Sequence, residues 1–331
     1  MRTTVFVCAV LVALLVCQPA AARMIDKNYH ETFDVEEGIK LILLHGDGDV
    51  VITPWDQDVI DVKIRYHANV TSVGFGVEVD FNADFKQAGD AVIVKGSEGG
   101  TAGIFFVRST NEYEYTYTIS APNYVILELR GDDGDVEVSG WRAGVDCELD
   151  DGDVSMDGVV GGIEIDLEDG DVKLTGLVGE LAVRGDDGDV TVSESTLKHA
   201  FFSLEDGSID VMDSAGQFEV TVDDGDVDFR RVTAGIVDVR GNDGDVDLDL
   251  KVDAEAHINV ATDDGDVTMR LSGELSFDYL VTMDDGDVDI HLDGVTDTET
   301  NDHRVSGTVG GGAGHVRVRT SDGDVTIVSG S

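Results

Sequence analysis

The 331-residue sequence predicts an all-β chain: a parallel β-solenoid of about ten coils, each 18–21 residues long, behind an N-terminal β cap. Three observations predict it. A D-G-D-V motif recurs at a nearly fixed period, apolar residues alternate strictly on both sides of each motif, and nothing after the N-terminal leader sustains a helical period.

The chain opens with Arg2 and an apolar run from Val5 to Val16, too short to span a bilayer comfortably, followed by Ala20-Ala21-Ala22. That pattern predicts a signal peptide over 1–22, cleaved before Arg23. Cys17 is preceded by Val16 rather than a small residue, which argues against a lipoprotein anchor. No later segment is apolar enough to span a membrane, so an exported, soluble monomer is expected, in the periplasm, the cell envelope or outside the cell. Cleavage removes Cys8 and Cys17 and leaves Cys147 alone, so the fold must stand without disulfides. Cys147 falls on an inward repeat position and reads as a small buried hydrophobe.

Residues 23–126 form the expected cap. They hold one motif copy, at Gly48, and strand-like runs at 59–66, 77–81, 91–94 and 113–119, with a Gly-rich loop at 96–104.

Residues 127–292 form the expected solenoid. The motif glycines are Gly134, Gly152, Gly170, Gly188, Gly207, Gly225, Gly244, Gly265 and Gly286, at steps of 18, 18, 18, 19, 18, 19, 21 and 21. With Gly48 and Gly323 there are eleven copies; Asp precedes the glycine in all, and Asp follows it in all but the one with Ser208. Two and four residues after the glycine lie pairs such as Val136/Val138, Val172/Leu174 and Val227/Phe229, with Glu137, Lys173 and Asp228 between. Seven and five before it lie pairs such as Leu127/Leu129, Val145/Cys147 and Phe218/Val220. Each motif is therefore flanked by two short strands with one buried face. Two strands and two tight turns use up a coil, leaving no room for a βαβ unit. The same motif at the same offset favours identical coils stacked in parallel, about 4.8 Å apart, over an antiparallel meander. Glycine suits the sharp corner because it adopts positive φ cheaply. Gly140/Gly144, Gly158/Gly162, Gly176/Gly179, Gly235 and Gly273 mark a second corner. Residues 293–331 read as a polar insertion loop followed by a final coil carrying Val316, Val318, Val325 and Ile327.

The stretch from Phe33 to Val62, the Y-T-I-S-A-P-N-Y-V-I-L-E-L segment with its following G-D-V-x-V repeats, and the terminal G-G-G-A-G-H-V-R-V-R-T-S-D-G-D-V-T-I resemble a bacterial putative-adhesin family. That family is a Toastrack-like domain of unknown function with β-strand repeats. The resemblance covers about residues 30–328. It implies a right-handed, β-helix-like fold exported to the envelope or exterior, and no catalytic residues. Family members usually carry Ser or another small polar residue before the turn glycine, where this chain has Asp.

The formal charge of −47 excludes nucleic-acid binding through counterion release and attraction to anionic lipid. Stacking is expected to align Asp133, Asp151, Asp169, Asp187, Asp206, Asp224, Asp243, Asp264 and Asp285 in one ladder. Asp135, Asp153, Asp171, Asp189, Asp226, Asp245, Asp266 and Asp287 would form a second. Like charges about 5 Å apart repel by about 1 kcal/mol even in water, so something must offset the sum. Two readings remain. In one the carboxylates accept turn N–H bonds, face solvent and need no cofactor; in the other Ca²⁺ sits between adjacent turns, with these residues other than Asp206 as its ligands. The period is that of acidic calcium-binding β-rolls, but their G-G-x-G-x-D pattern is missing.

The histidines at 30, 45, 67, 199, 257, 291, 303 and 315 show no ligand spacing and read as surface or turn residues. Tyr113, Tyr115 and Tyr117 read as cap packing rather than a sugar platform, and Trp55 and Trp141 as edge packing. No Ser/His/Asp set, phosphate loop or Cys cluster is present. The expected function is a non-enzymatic adhesive or structural module, cation-modulated through its Asp ladders, with an envelope or extracellular glycan or protein as partner. The alternatives are a calcium-dependent β-roll that folds on export and a polysaccharide-acting β-helix enzyme.

Overall fold

The structure, a computed structural model, describes residues 21–73, 79–100, 107–301 and 303–330. The leader up to residue 20, the first two residues of the run at 77–81 and residues 101–104 of the Gly-rich loop lie outside the described residues. Among the described residues there are 28 strands and no helix. None is therefore a helix long and apolar enough to cross a membrane.

The coils stack in parallel and in register. Val145–Asp151 lies between Ile126–Asp133 and Val160–Asp169, which places Leu129, Cys147 and Ile165 directly over one another. Val154–Asp157 lies likewise between Val136–Ser139 and Val172–Thr175. The alternating apolar residues of both strands point inward and are buried, except that Val288 and Ile290 of the Gly286 coil are half-buried. Each such Val, Ile or Leu contributes about 1.5–3 kcal/mol by leaving water. Volume is traded between neighbours: Ala200 lies under Phe218, and Phe202 beside Val220. Phe218 in turn meets Phe229 edge-on, with centroids 5.1 Å apart.

In the six coils from Gly134 to Gly225 the second corner has a left-handed residue six positions after the motif glycine. Gly140, Gly158 and Gly176 fill it at φ 62–65°, and then Glu194, Asp213 and Arg231 at φ 49–57°.

The cap consists of β1 (Ala21–Asp34), β4 (Val59–Val73), β5 (Val79–Ala88), β6 (Ala91–Gly100) and β7 (Val107–Ala121), wrapped around the first coil, β2 (Lys40–Leu44) and β3 (Asp49–Pro54). β2 and β3 stack in parallel on β8 (Ile126–Asp133) and β9 (Val136–Ser139), so the Gly48 copy adjoins the Gly134 copy across 86 residues of chain. On their other side lie β6 and β7, also parallel. The two cap strands then leave the coil path, β6 pairing antiparallel with β5 and β7 with β4. Tyr66, Phe81 and Tyr115 close the end of the core, with centroids 4.7–5.4 Å apart. β1 has no counterpart in the sequence reading. It is an edge strand on β4 whose described side chains are mostly exposed, so its sequence lacks the alternation that marks a half-buried strand.

The C-terminal end differs from expectation in order. The coil that is last in sequence is not last in space. Gly314–Arg319 lies between His257–Ala261 and Phe277–Thr282, and Val325–Ser329 between Val267–Gly273 and Val288–His291. The Gly323 coil is thus inserted between the Gly265 and Gly286 coils. The polar stretch expected as a loop contains the strand Val295–Asn301, paired antiparallel with Arg304–Val309, which itself pairs antiparallel with Phe277–Thr282. This exposed hairpin covers the sheet edge that an open solenoid end would leave unpaired.

Candidate functional site: the acidic edge

The motif corners form one continuous edge. Each glycine has φ between +117° and +151°. Stacking adds a second requirement: a Cβ on Gly188 would lie 2.0 Å from the carbonyl oxygen of Gly170, and one on Gly207 2.1 Å from that of Gly188. The glycine amide donates to the carbonyl of the first motif Asp in the next coil, as from Gly170 to Asp187 at 3.1 Å. The valine amide donates to the carbonyl of the second, as from Val172 to Asp189 at 2.9 Å.

The amide between them has no backbone partner in this ladder, and a carboxylate supplies one. Asp153 N donates to Asp135 Oδ1 at 3.0 Å, Asp171 N to Asp153 Oδ1 at 2.9 Å, and Asp189 N to Asp171 Oδ1 at 3.0 Å. Ser208 N donates to Asp189, and the ladder resumes from Asp226 to Asp245 and from Asp245 to Asp266. It then runs from Asp266 to Asp324 at 2.8 Å and from Asp324 to Asp287 at 2.9 Å, following the spatial rather than the sequence order. At the other end, Asp135 N donates to Asp49 at 3.3 Å. The second motif Asp thus completes the hydrogen bonding of the corner.

The first ladder, Asp133, Asp151, Asp169, Asp187, Asp206, Asp224, Asp243, Asp264 and Asp285, is also brought into line, and its side chains are exposed. Asp322 sits between Asp264 and Asp285, and Asp47 precedes Asp133. Sequence reasoning missed Asp47 and Asp322 here and Asp49 and Asp324 in the second ladder, because their places depend on pairings 37 to 86 residues apart. It also missed a third acidic column, two residues before the glycine: Asp132, Asp150, Glu168, Asp186, Glu205, Asp223, Asp263 and Asp284. Acidity at that offset in eight of eleven copies was the available signal.

Several arginines pair with acids of the broad faces rather than with those of this edge. Arg130 pairs with Asp146 at 2.9 Å and Glu148 at 2.7 Å, Arg184 with Glu164 at 2.8 Å and Asp166 at 3.2 Å, and Arg270 with Asp247 at 2.7 Å. Hydrogen bonds to these acids hold the Arg130 and Arg184 guanidinium pKa values above their usual range. Among the described residues no ion pair reaches the three edge columns, and no three His, Cys, Asp or Glu side chains converge to hold a metal ion.

The profile of the Toastrack DUF4097 family matches residues 118–193 and 177–328. The chain belongs to that family. No functionally curated protein matches it. Among solved structures, a putative cell adhesion protein from Clostridium sporogenes is similar at 13% identity and TM-score 0.20, covering 92% of this chain and 100% of its own. Putative adhesins from Bacteroides fragilis (14% identity, TM-score 0.32) and Parabacteroides distasonis (13%, TM-score 0.38) each cover 91% of this chain and 97% of their own. As a Toastrack protein the chain has the family's β-solenoid, and its corners carry an edge of carboxylates.

Three smaller readings meet the structure differently. Tyr115 and Tyr117 are buried in the cap, as expected. Trp141 is fully buried rather than at an edge, its indole donating to Val125 O at 2.7 Å; position 141 faces inward beneath the turn at Val125. His45 is buried rather than exposed, because its position in the coil is the one Leu149 and Leu167 occupy further along the stack.

Proposed function

We propose that this Toastrack chain is an exported, non-enzymatic module of the cell envelope or exterior that binds a glycan or protein partner, with its acidic edge as the cation-responsive surface. The observation that carries this reading is the edge itself: three acidic columns in register, free of ion pairs among the described residues. Such a surface attracts cations and cationic partners, and salt weakens the attraction.

The Asp ladder already satisfies the corner amides through Oδ1, so the corner has its hydrogen bonds without an ion. This favours Ca²⁺ as a modulator, at Asp133, Asp135 and their equivalents, over Ca²⁺ as a folding requirement. The lack of a catalytic constellation in the sequence and the uniform coils speak for binding rather than polysaccharide cleavage.

Expression of the full chain with its own N-terminus, cell fractionation and N-terminal sequencing test the export; the reading expects product beginning at Arg23 outside the cytoplasm, and uncleaved chain kept in the cytoplasm refutes it. A CaCl₂ titration followed by EDTA tests the cation. A rise in Tm with the β signal intact in EDTA supports modulation, and loss of the β signal in EDTA supports the calcium-folded alternative. Release of oligosaccharides from a panel of acidic polysaccharides would identify an enzyme instead.

A further inference from the structure

The fork between cap and solenoid holds a second polar feature, independent of the acidic edge. Beneath the Gly48 corner the stack has no D-G-D turn, because β6 and β7 diverge there into their antiparallel partners. A cavity of about 410 Å³ opens in the fork, lined by His45, Asp47, Asp132, Phe81, Tyr115, Tyr117 and the exposed Lys95. We propose that this cavity binds a small organic ligand carrying a primary ammonium group.

Two orphaned polar atoms carry the argument. His45 is 5% exposed and Tyr117 0%, and neither His45 Nε2 nor the Tyr117 hydroxyl has a hydrogen-bond partner. The structure makes room for both with glycines. A Cβ on Gly131 would fall 2.4 Å from His45 Nε2, and one on Gly96 1.9 Å from the Tyr117 oxygen. At the same place in later coils stand Leu149 and Leu167, which fill the core at no polar cost. Burying an unpaired polar atom instead costs on the order of 1–3 kcal/mol, which a ligand supplying the missing partner would recover.

The groups specify that ligand. His45 Nδ1 donates to Gly46 O at 3.0 Å, so in the neutral ring Nε2 carries a lone pair and accepts. Burial lowers the His45 pKa and favours that neutral ring. The carboxylates of Asp47 and Asp132 accept as well, and burial, with Asp132 nearby, raises the Asp47 pKa. Aromatic rings complete the wall, and ring faces attract cations. Acceptors, negative charge and π faces together select a cation with N–H donors. A quaternary ammonium could meet the rings but has nothing to donate to Nε2. A polyol could donate but leaves two carboxylates with Lys95 as their single counter-charge in the wall.

Ethanolamine, choline, glycerol and CaCl₂ are the probes, each titrated into the full chain and followed by the His45 imidazole resonance, assigned by its loss in His45→Gln. Ethanolamine should shift that resonance saturably and raise Tm, with choline and glycerol at least about tenfold weaker, the worth of one charge-assisted hydrogen bond. Tyr117→Phe and Asp132→Asn should each weaken ethanolamine binding about fivefold or more. Asp132 is exposed, so Asp132→Asn should fold normally and keep the test alive if His45→Gln does not. The proposal is overturned if ethanolamine produces no saturable shift up to about 100 mM. It is also overturned if choline, glycerol or CaCl₂ matches ethanolamine, or if Tyr117→Phe and Asp132→Asn both bind like the parent.

Discussion

The backbone amide of Asp171 donates to the carboxylate of Asp153 in the preceding coil at 2.9 Å, and the Asp171 carboxylate accepts from the amide of Asp189 at 3.0 Å. One residue, through its amide and its carboxylate, thereby joins three coils. Asp171→Asn keeps a carbonyl acceptor and removes a charge from the column, whereas Asp171→Ala leaves the Asp189 amide to water. Asp171→Ala should cost about 1 kcal/mol in urea unfolding. Asp171→Asn should be neutral or stabilising at low salt, and its advantage should vanish in about 1 M NaCl. Equal losses for Asn and Ala would show that charge, not the hydrogen bond, is what the position needs.

Gly188→Ala should be among the most damaging single changes, because φ is +132° and the new Cβ would meet the Gly170 carbonyl at 2.0 Å. A loss of at least about 3 kcal/mol is expected from strain and steric overlap combined. Gly162→Ala is the control, with nothing within 4 Å of the added carbon and no positive φ; its effect should stay within about 0.5 kcal/mol.

Glu194 holds the second corner at φ 52°, where Gly158 and Gly176 hold the equivalent place in other coils. Glu194→Gly relieves a left-handed conformation that costs an L-residue about 1–2 kcal/mol, partly offset by the added freedom of glycine in the unfolded chain. A rise in stability of about 0.5–1 kcal/mol is expected in thermal or urea denaturation. A loss would mean that the Glu194 side chain has a role its exposed position does not reveal.

Cys147 is fully buried, and burial pushes its thiol up to about 12 from about 9. The folded form thus binds the proton more tightly than the unfolded one. The resulting stability is complete below pH 9 and is lost as pH rises towards 12. Cys147→Val should flatten the decline above pH 9, and a thiol reagent should label the native protein only at its unfolding rate. Rapid labelling in native buffer would contradict the burial.

Removing residues 314–331 takes out an inner coil, not the end. The strand Phe277–Thr282 would lose its parallel neighbour, and Val267, Met269 and Leu271 would face water. The truncated chain should expose a protease-sensitive region from about residue 262 onward while the coils before it persist, as nearest-neighbour stability in a solenoid requires. Limited proteolysis with mass spectrometry reads the boundary; uniform cleavage along the chain would instead show a single cooperative unit.

The core and the corner were legible in the sequence because both are local. Val172 and Leu174 flank Lys173 in one short strand, and the offset between Gly170 and Gly188 sets the stacking by itself. What could not be read there depends on distant partners. Nothing near Asp324 says that its amide will meet Asp266 rather than Asp287, since the intervening hairpin and loop can be accommodated in either order. β1 hid for the opposite reason: an edge strand exposed on most positions has no pattern to show. The unpaired nitrogen of His45 was invisible because Gly131, which makes room for it, lies 86 residues away.

The corner columns have one more consequence, in the realm of polyelectrolytes. With coils about 4.8 Å apart, and acids at eight, eleven and ten of the eleven corners in the three columns, the edge carries about one negative charge every 1.8 Å of its length. Duplex DNA carries one about every 1.7 Å. A line of charge that dense gathers a condensed sheath of counterions, and any polycation that settles on it sets some of them free. The grip of a basic partner on this rod would then be governed as much by the salt of the surrounding fluid as by the fit of the two surfaces.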